Sequence, residues 1–218
     1  MKSISVTLPE KAVRVEVKPE KTLDHEPYIE TASGIKFHFL SPRQDEINIL
    51  DIAHSLSNQC RFTGHTSEFY SVAEHSILVS RLTGGSNQRR LCGLLHDACE
   101  AYMTDVATPV KAFLTDYRPL EHTMWRAVAK KFDLPEELPD EVKKADRLAL
   151  LIEAKQLIAS GGKDWIEAQG VDVPDVVLEC AMPRVIRYRF MKEFAELTGL
   201  PEYCNALKTQ RIDYASAA

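Results

Sequence analysis

The chain has 218 residues, 44% hydrophobic and 27% charged, which are the proportions of an ordinary soluble protein with a real core. Its formal net charge of −5 argues against broad non-specific binding to duplex nucleic acid, because that binding needs a basic surface. The sequence contains no uninterrupted apolar stretch of roughly 18 residues and no signal-peptide pattern at its start, so we expect a cytoplasmic protein.

Period-two patterning predicts β-hairpins before the first helix. Residues 3–17 alternate in character around a turn, which is typical of a hairpin or arm. The charged segment 18–27 is typical of a linker, and residues 28–39 predict a second hairpin that turns at Gly34. The predicted organisation is an arm and linker at residues 1–27, a main domain at 28–200 and a tail at 201–218.

From Asp45 onward the apolar residues recur at helical spacing. A helix is predicted from Asp45 to Gln59, and a loop containing Gly64 separates it from a second helix that begins near Ser67. A central helix follows through Tyr102, and the next stretch is loop-like up to Pro109. Further helices are predicted at 117–132, within 136–158 and at 183–197, whereas 165–180 is ambiguous. The predicted fold class is all-α, with a short N-terminal β-hairpin extension.

One run of the central helix, LLHDACEAY, places ionisable residues among apolar ones. His96, Asp97 and Glu100 share this run, and burying such a cluster is costly unless its charge is compensated. A divalent metal ion is the simplest compensation, because imidazole nitrogen and carboxylate oxygen suit Zn, Mn, Fe or Co. The five cysteines contain no CxxC pair, so a thiolate zinc site is not expected. The further candidate ligands, each among apolar neighbours in predicted helix, are His75 and Asp146.

The ordered set His75, His96, Asp97 and Asp146 resembles the H…HD…D signature of the HD-domain metal-dependent phosphohydrolases, an all-α family. The contexts AEH, LLHD and KKADR carry the likeness, which covers roughly residues 29–197. The runs HDACE and TDVATPVK resemble the branch of bacterial 5'-deoxynucleotidases, and CRFTGHT resembles compact enzymes that include phage dATP triphosphohydrolases. The resemblance implies an HD-domain helical bundle in which the four residues bind a divalent ion, with Co, Mn or Zn first and Mg or Fe next.

The same resemblance implies roles for residues around the ligands. Glu100 matches a residue that contacts metal-bound water, and Asp105 matches a candidate general acid or base. Arg61 matches an arginine that meets the phosphate, and Phe62 matches an aromatic residue that packs on the sugar or base. Two further candidate substrate contacts are His65 and Lys111.

Most of these residues also have a plainer interpretation. Arg61 could cap the preceding helix, whose C-terminal end favours a cation, and Phe62 could belong to the core. His65 could be only a loop residue, and Lys111 would be read as a solvated charge without the resemblance. Asp146 could be a solvated helix residue, but its place in the ordered set favours ligation.

The sequence therefore predicts a metal-dependent phosphohydrolase of 2'-deoxynucleotides in a bacterial or phage-infected host cytosol. The phage-like CRFTGHT run favours a deoxynucleoside triphosphate, dATP first, and a deoxynucleoside 5'-monophosphate nucleotidase is the alternative. A signalling-nucleotide phosphodiesterase would need additional metal-bridging ligands, and a dead nucleotide-binding module would lack a ligand or an acid/base residue. The expected partner is a small nucleotide, without a stable nucleic-acid complex or a membrane. A homo-oligomer is expected, because an unpaired strand edge seeks a partner.

Overall fold

A computed structural model describes residues 26–202 of the chain. Short strands β1 (Tyr28–Glu30) and β2 (Lys36–His38) come first, and the remainder is mostly helical, as the all-α prediction requires. The predicted arm at 3–17, most of the linker and nearly all of the tail lie outside the described residues. The helices are α1 (Ile49–Asn58), α2 (Val72–Thr83), α3 (Asn87–Leu95), α4 (Glu100–Met103), α5 (Thr108–Lys111), α6 (Tyr117–Lys131), α7 (Asp140–Leu157), α8 (Lys163–Gln169) and α9 (Pro183–Thr198).

The hairpin predicted at 28–39 is confirmed, and it is tied to the helical core. β1 and β2 pair antiparallel, and Gly34 makes the turn with a φ of +80°. Asp51 of α1 accepts a hydrogen bond of 2.8 Å from the backbone N–H of Ser33. Phe37 of β2 stacks on Tyr102 with ring centroids 3.8 Å apart. The hairpin therefore continues the packed core.

Helix α2 is the centre of the bundle and packs against α1, α3, α7 and α9. It begins at Val72, so the predicted start near Ser67 is wrong. The Ser71 side chain caps the helix by accepting from the Glu74 N–H, and the preceding residues stay in a loop because the Arg61 N–H donates to the Tyr70 carbonyl at 2.8 Å. In the described part of the chain, no helix is both long and apolar enough to cross a membrane.

The central helix is interrupted where its ionisable residues lie, which corrects the prediction of one continuous helix. α3 ends at Leu95, and α4 begins at Glu100. Between them the backbone bonds tighten to a three-residue spacing, with the Glu100 N–H donating to the Asp97 carbonyl at 2.9 Å. Residues three apart eclipse each other in such a turn, so Asp97 and Glu100 still share a face. The stretch predicted as loop-like also contains the short helix α5.

Gly93 allows α3 to approach α2 closely. A Cβ atom at this position would lie 2.8 Å from the Thr83 hydroxyl oxygen and 3.1 Å from the Ser80 Cα, so a larger residue would push the helices apart. His96 follows one turn later, and His75 lies on the facing side of α2. The close packing therefore sets the distance between the two histidines.

Candidate metal centre

Two buried histidines meet between α2 and the end of α3, with ring centroids 5.2 Å apart. His75 Nδ1 lies 2.6 Å from a Glu153 carboxylate oxygen, and His96 Nδ1 lies 2.8 Å from the Gly93 carbonyl. Because each Nδ1 faces an acceptor, each neutral ring carries its proton there and presents a lone pair at Nε2. Within residues 26–202, neither Nε2 atom has a hydrogen-bond partner, although both are buried.

Two carboxylates face these Nε2 atoms. An Asp97 oxygen lies 3.5 Å from His75 Nε2 and 3.2 Å from His96 Nε2. An Asp146 oxygen, from α7, lies 3.1 Å and 3.7 Å from the same two atoms. Ligands about 2.1 Å from one tetrahedral ion lie about 3.4 Å apart. His75, His96 and Asp97 therefore have the spacing to hold a divalent cation, and Asp146 lies beside the two histidines. All four sequence-predicted ligands are brought together.

The charges of these groups depend on one another. Burial disfavours the imidazolium of His96, but the carboxylates of Asp97 and Asp146 outweigh it and raise the pKa of His96 well above its usual value. The pKa of His75 is also raised against burial, by Glu153 and Asp146 among others. Burial opposes ionisation of Asp97, yet the two histidines lower the pKa of its carboxyl to about 2. The cluster thus stabilises positive charge at its centre.

Glu153 links the candidate metal ligands to the neighbouring guanidinium, a role that was not predicted from the sequence. One carboxylate oxygen contacts His75 Nδ1, and the other accepts from the Arg61 guanidinium at 3.3 Å. Burial opposes its ionisation, but His75 and Arg61 lower the pKa of Glu153. A signal was present, because Glu153 follows Asp146 by seven residues, about two helical turns, inside the apolar run LLIEA.

Arg61 lies in the site and does not cap α1. Its guanidinium is nearly buried, and one terminal nitrogen lies 3.9 Å from an Asp97 oxygen and 3.8 Å from an Asp105 oxygen. Burial disfavours the charged form, but Glu153 and the aspartates outweigh it and raise the pKa of Arg61. The predicted phosphate contact is therefore a permanently charged group beside the candidate ligands.

Glu100 has one carboxylate oxygen that contacts no partner among residues 26–202. Its Oε1 lies 3.5 Å from Lys111 Nζ, whereas Oε2 is buried and makes no hydrogen bond with any residue that the structure describes. Burial raises the pKa of Glu100 to about 9, assisted by Asp97 and Asp105. Lys111 Nζ also lies 2.8 Å from Glu121, so the cation predicted as a substrate contact already has carboxylate partners.

Asp105 is fixed by Gln59 at the end of α1. The Gln59 side chain accepts from the Asp105 N–H at 3.0 Å and donates to the Glu100 carbonyl at 2.9 Å. Between these residues Thr104 has a φ of 69°, a conformation that a β-branched residue rarely adopts. Burial raises the pKa of Asp105, although Arg61 opposes the shift. The two candidate acid/base residues are thus held by one amide.

The remaining predicted substrate contacts lie towards the surface. Phe62 is partly exposed, so it is not a core residue, and its ring centroid lies 5.6 Å from the Arg61 guanidinium carbon. His65 is exposed, and its backbone N–H donates to the Phe62 carbonyl at 3.0 Å. The structure therefore brings Arg61, Phe62 and Lys111 to the surroundings of the centre and leaves His65 at the surface.

Comparisons with known proteins identify relatives whose names state no activity. The chain is 36% identical to the uncharacterized protein YfdR of Escherichia coli strain K12 over 174 residues, which span 79% of this chain and 97% of YfdR. It is 39% identical over 137 residues to an uncharacterized protein of Rhodobacter capsulatus, covering 57% of this chain and 70% of that protein. No protein-family model matches the chain. The geometry and chemistry of the site are therefore the basis for a function.

Replacing Glu153 with Gln should weaken binding of Mn²⁺ or Co²⁺ by about 10- to 100-fold, because the carboxylate that orients a metal-binding imidazole also strengthens its basicity. Isothermal titration calorimetry measures the affinity. Glu193→Gln is the matched control, since Glu193 is also buried but pairs with Arg90. A folded Glu153→Gln variant with the affinity of the parent chain would contradict this role.

The stabilisation of the fold by Mn²⁺ should increase between pH 6 and pH 8. Because the pKa of His96 is raised in the folded protein, protonated His96 stabilises the metal-free fold below about pH 6.5. This contribution to the free energy of unfolding is lost as the pH rises through the pKa that His96 has in the folded state. Metal binding requires the neutral ring, so proton competition weakens over the same range. Differential scanning fluorimetry with and without Mn²⁺ gives the Tm shift at each pH. A shift that is constant, or that falls with rising pH, would exclude the histidines as ligands.

Proposed function

The chain belongs to the family of the Escherichia coli protein YfdR, and we propose that it is a divalent-metal-dependent phosphohydrolase of 2'-deoxynucleotides. The observation that carries the proposal is the convergence of two histidine Nε2 atoms, free of hydrogen bonds to the described residues, with two carboxylates beside a nearly buried guanidinium. The resemblance of the sequence to HD-domain phosphohydrolases supports the same chemistry.

The charge of the ligand set supports a divalent ion. Two neutral imidazoles and two carboxylates carry a formal charge of about −2, which one divalent cation balances. An ion held by His75, His96, Asp97 and Asp146 would supply Lewis-acid polarisation of a phosphoryl oxygen. In the part of the chain that the structure describes, His75, His96 and Asp97 are the one group found with metal-ligand spacing. This supports a one-metal site over the two-metal site expected for a signalling-nucleotide phosphodiesterase.

The protein's own residues divide the remaining tasks. The Arg61 guanidinium can form paired hydrogen bonds with phosphate oxygens, and Glu153 holds it in place. Glu100 Oε2, unpaired with any residue in the range 26–202, is available to orient a water molecule. Burial raises the pKa of Glu100 to about 9, and a cation bound nearby would lower it again, so that the carboxylate could accept the proton. Asp105 lies beside Arg61 and is the candidate to hold a proton for the leaving oxygen.

We propose that the substrate is a deoxynucleoside triphosphate, with dATP as the leading candidate. The reason is that the CRFTGHT run resembles a segment of phage dATP triphosphohydrolases. The charge balance favours a deoxynucleoside 5'-monophosphate as the second candidate. Arg61 and Lys111 already contact carboxylates, so less cationic charge is available for additional phosphates. The two reactions differ in product, since the first releases tripolyphosphate and the second releases inorganic phosphate.

A product-resolved screen tests the proposal. The four dNTPs, the four dNMPs and ATP are incubated with the protein and Mn²⁺, Co²⁺, Zn²⁺ or Mg²⁺, and the products are separated by ion-exchange chromatography. We expect metal-dependent release of a phosphate product from at least one deoxynucleotide. Asp97→Ala should abolish this release and reduce bound metal, because the residue supplies both charge and geometry. The control is Asp172→Ala, at an exposed position.

The proposal fails if no deoxynucleotide is hydrolysed with any of the four metals. It also fails if Asp97→Ala keeps both full metal occupancy and normal turnover. Nucleotide binding without product release would instead support the dead-module alternative.

Glu100→Gln should lower kcat by a factor of about 10² or more while leaving metal affinity largely intact, because an amide cannot accept the proton. Steady-state kinetics and metal titration measure the two effects separately. Glu121→Gln is the control, since Glu121 shares the Lys111 contact but is not a proposed acid or base. A normal kcat with a raised KM would show that Glu100 only contributes to binding.

A further inference from the structure

We propose that Trp165 is a substrate-binding residue and that its ring forms, with the ring of Phe62, an aromatic subsite for a planar nucleobase. The identification of the occupant as a nucleotide rests on the proposed function. The existence of the subsite does not require turnover, so a binding measurement tests it independently.

The rings of Phe62 and Trp165 are nearly parallel. Their centroids lie 6.4 Å apart, and their planes differ by 15°. Stacked aromatic pairs have centroids about 4.5–7 Å apart, so the two side chains form one continuous aromatic surface. Phe62 is partly exposed and Trp165 is 46% exposed, so a ligand can reach both rings from solvent. Aromatic rings of this kind bind any base through its π-face.

Helix α7 fixes the position of Trp165 with respect to the candidate metal ligands. α8 follows a turn at Gly162, which has a φ of 63°, and a Cβ there would lie 2.7 Å from the Ala154 Cβ. The turn therefore packs directly on α7 at Ala154, the residue that follows Glu153. Arg61 donates a hydrogen bond to Glu153. The same part of α7 therefore also positions Phe62, the next residue in the chain.

The backbone at Phe62 is strained in a way that core packing does not explain. Phe62 has a φ of 53° and Thr63 a φ of 55°, and two successive non-glycine residues in the left-handed region are unusual. The surrounding loop is anchored because the Ser67 N–H donates to the Leu157 carbonyl at the end of α7 at 2.8 Å. Strain that the surrounding structure maintains is concentrated at binding and catalytic sites.

The contacts follow the order of groups in a nucleotide. The candidate ligand Asp97 lies 3.9 Å from the Arg61 guanidinium, which lies 5.6 Å from the Phe62 ring, and Trp165 stacks beyond it. The anionic end of a nucleotide would meet the metal ligands and Arg61, and its planar end would meet the two rings. Polar groups that orient a ligand beside an apolar wall are typical of small-molecule sites.

The chain offers a direct spectroscopic test, because Trp125 and Trp165 are its two tryptophans. Trp125 is 6% exposed, and Trp125→Phe leaves Trp165 as the single tryptophan reporter. This variant, checked for folding by circular dichroism, is titrated with dAMP or dATP in the presence of EDTA, which prevents turnover. We expect saturable quenching by both nucleotides. 2-Deoxyribose 5-phosphate, which lacks a base, should produce no quenching.

Affinity for dAMP, measured by calorimetry, should fall about tenfold in Trp165→Leu, which corresponds to losing one base–aromatic stack. Trp165→Phe should restore most of the affinity. Tyr188→Leu is the control, because Tyr188 is 45% exposed but lies on α9 and has no place in the proposed subsite.

Unchanged affinity in a folded Trp165→Leu variant overturns the subsite, as does equal quenching by deoxyribose phosphate or an absence of nucleotide binding. Hydrolysis with an unchanged KM in Trp165→Leu would contradict the subsite and leave the proposed function intact. Base-dependent quenching without hydrolysis under any metal condition would support the subsite and reject the proposed function.

Discussion

Glu153 places a carboxylate inside the helical bundle and uses both of its oxygens. One oxygen orients the His75 ring, and the other holds the Arg61 guanidinium. An isolated buried carboxylate would be costly, but one with two charged or polar partners becomes a fixed link between them. The position of the candidate phosphate contact is therefore set by the same residue that orients a candidate metal ligand.

The core has to accommodate many ionisable groups, and it does so by pairing them. His75, His96 and Glu100 are buried beside the aliphatic residues of α2 and α3. The Glu153 carboxylate faces His75 Nδ1, and Lys111 faces Glu100. The remaining unpaired atoms, counted over residues 26–202, include both Nε2 atoms and Glu100 Oε2. Buried polar atoms normally have partners, so these exceptions mark where a ligand would complete the set.

The ligand set could be predicted from the sequence because each member is a polar residue in an apolar helical context. Glu153 could have been found by the same criterion, but a single glutamate in a helix is usually a solvated residue. Its partner Arg61 is distant along the chain, and no local pattern connects the two. The resemblance to HD-domain proteins supplied roles for nearby residues, and those roles stay predictions.

Local signals also explain the errors in the predicted elements. The start of α2 was readable from Ser71 and Glu74, which have capping-box spacing, but Ser67 offered a competing start. The break after Leu95 has no glycine or proline to mark it, since it arises where His96 turns towards the Gly93 carbonyl. Trp165 lay in an ambiguous stretch, because its position depends on packing between Gly162 and Ala154.

Helix α7 sets the distances between three parts of the site. It carries the candidate ligand Asp146, the linking carboxylate Glu153 and the seat of α8 at Ala154 in one rigid element. Each residue of a helix advances about 1.5 Å and rotates about 100°, so one residue inserted between Asp146 and Glu153 would turn these functions onto different faces. The geometry of the site therefore fixes the length of α7 between these residues. The number of residues between Asp146 and Glu153 therefore constrains the site as strictly as the identity of a ligand does.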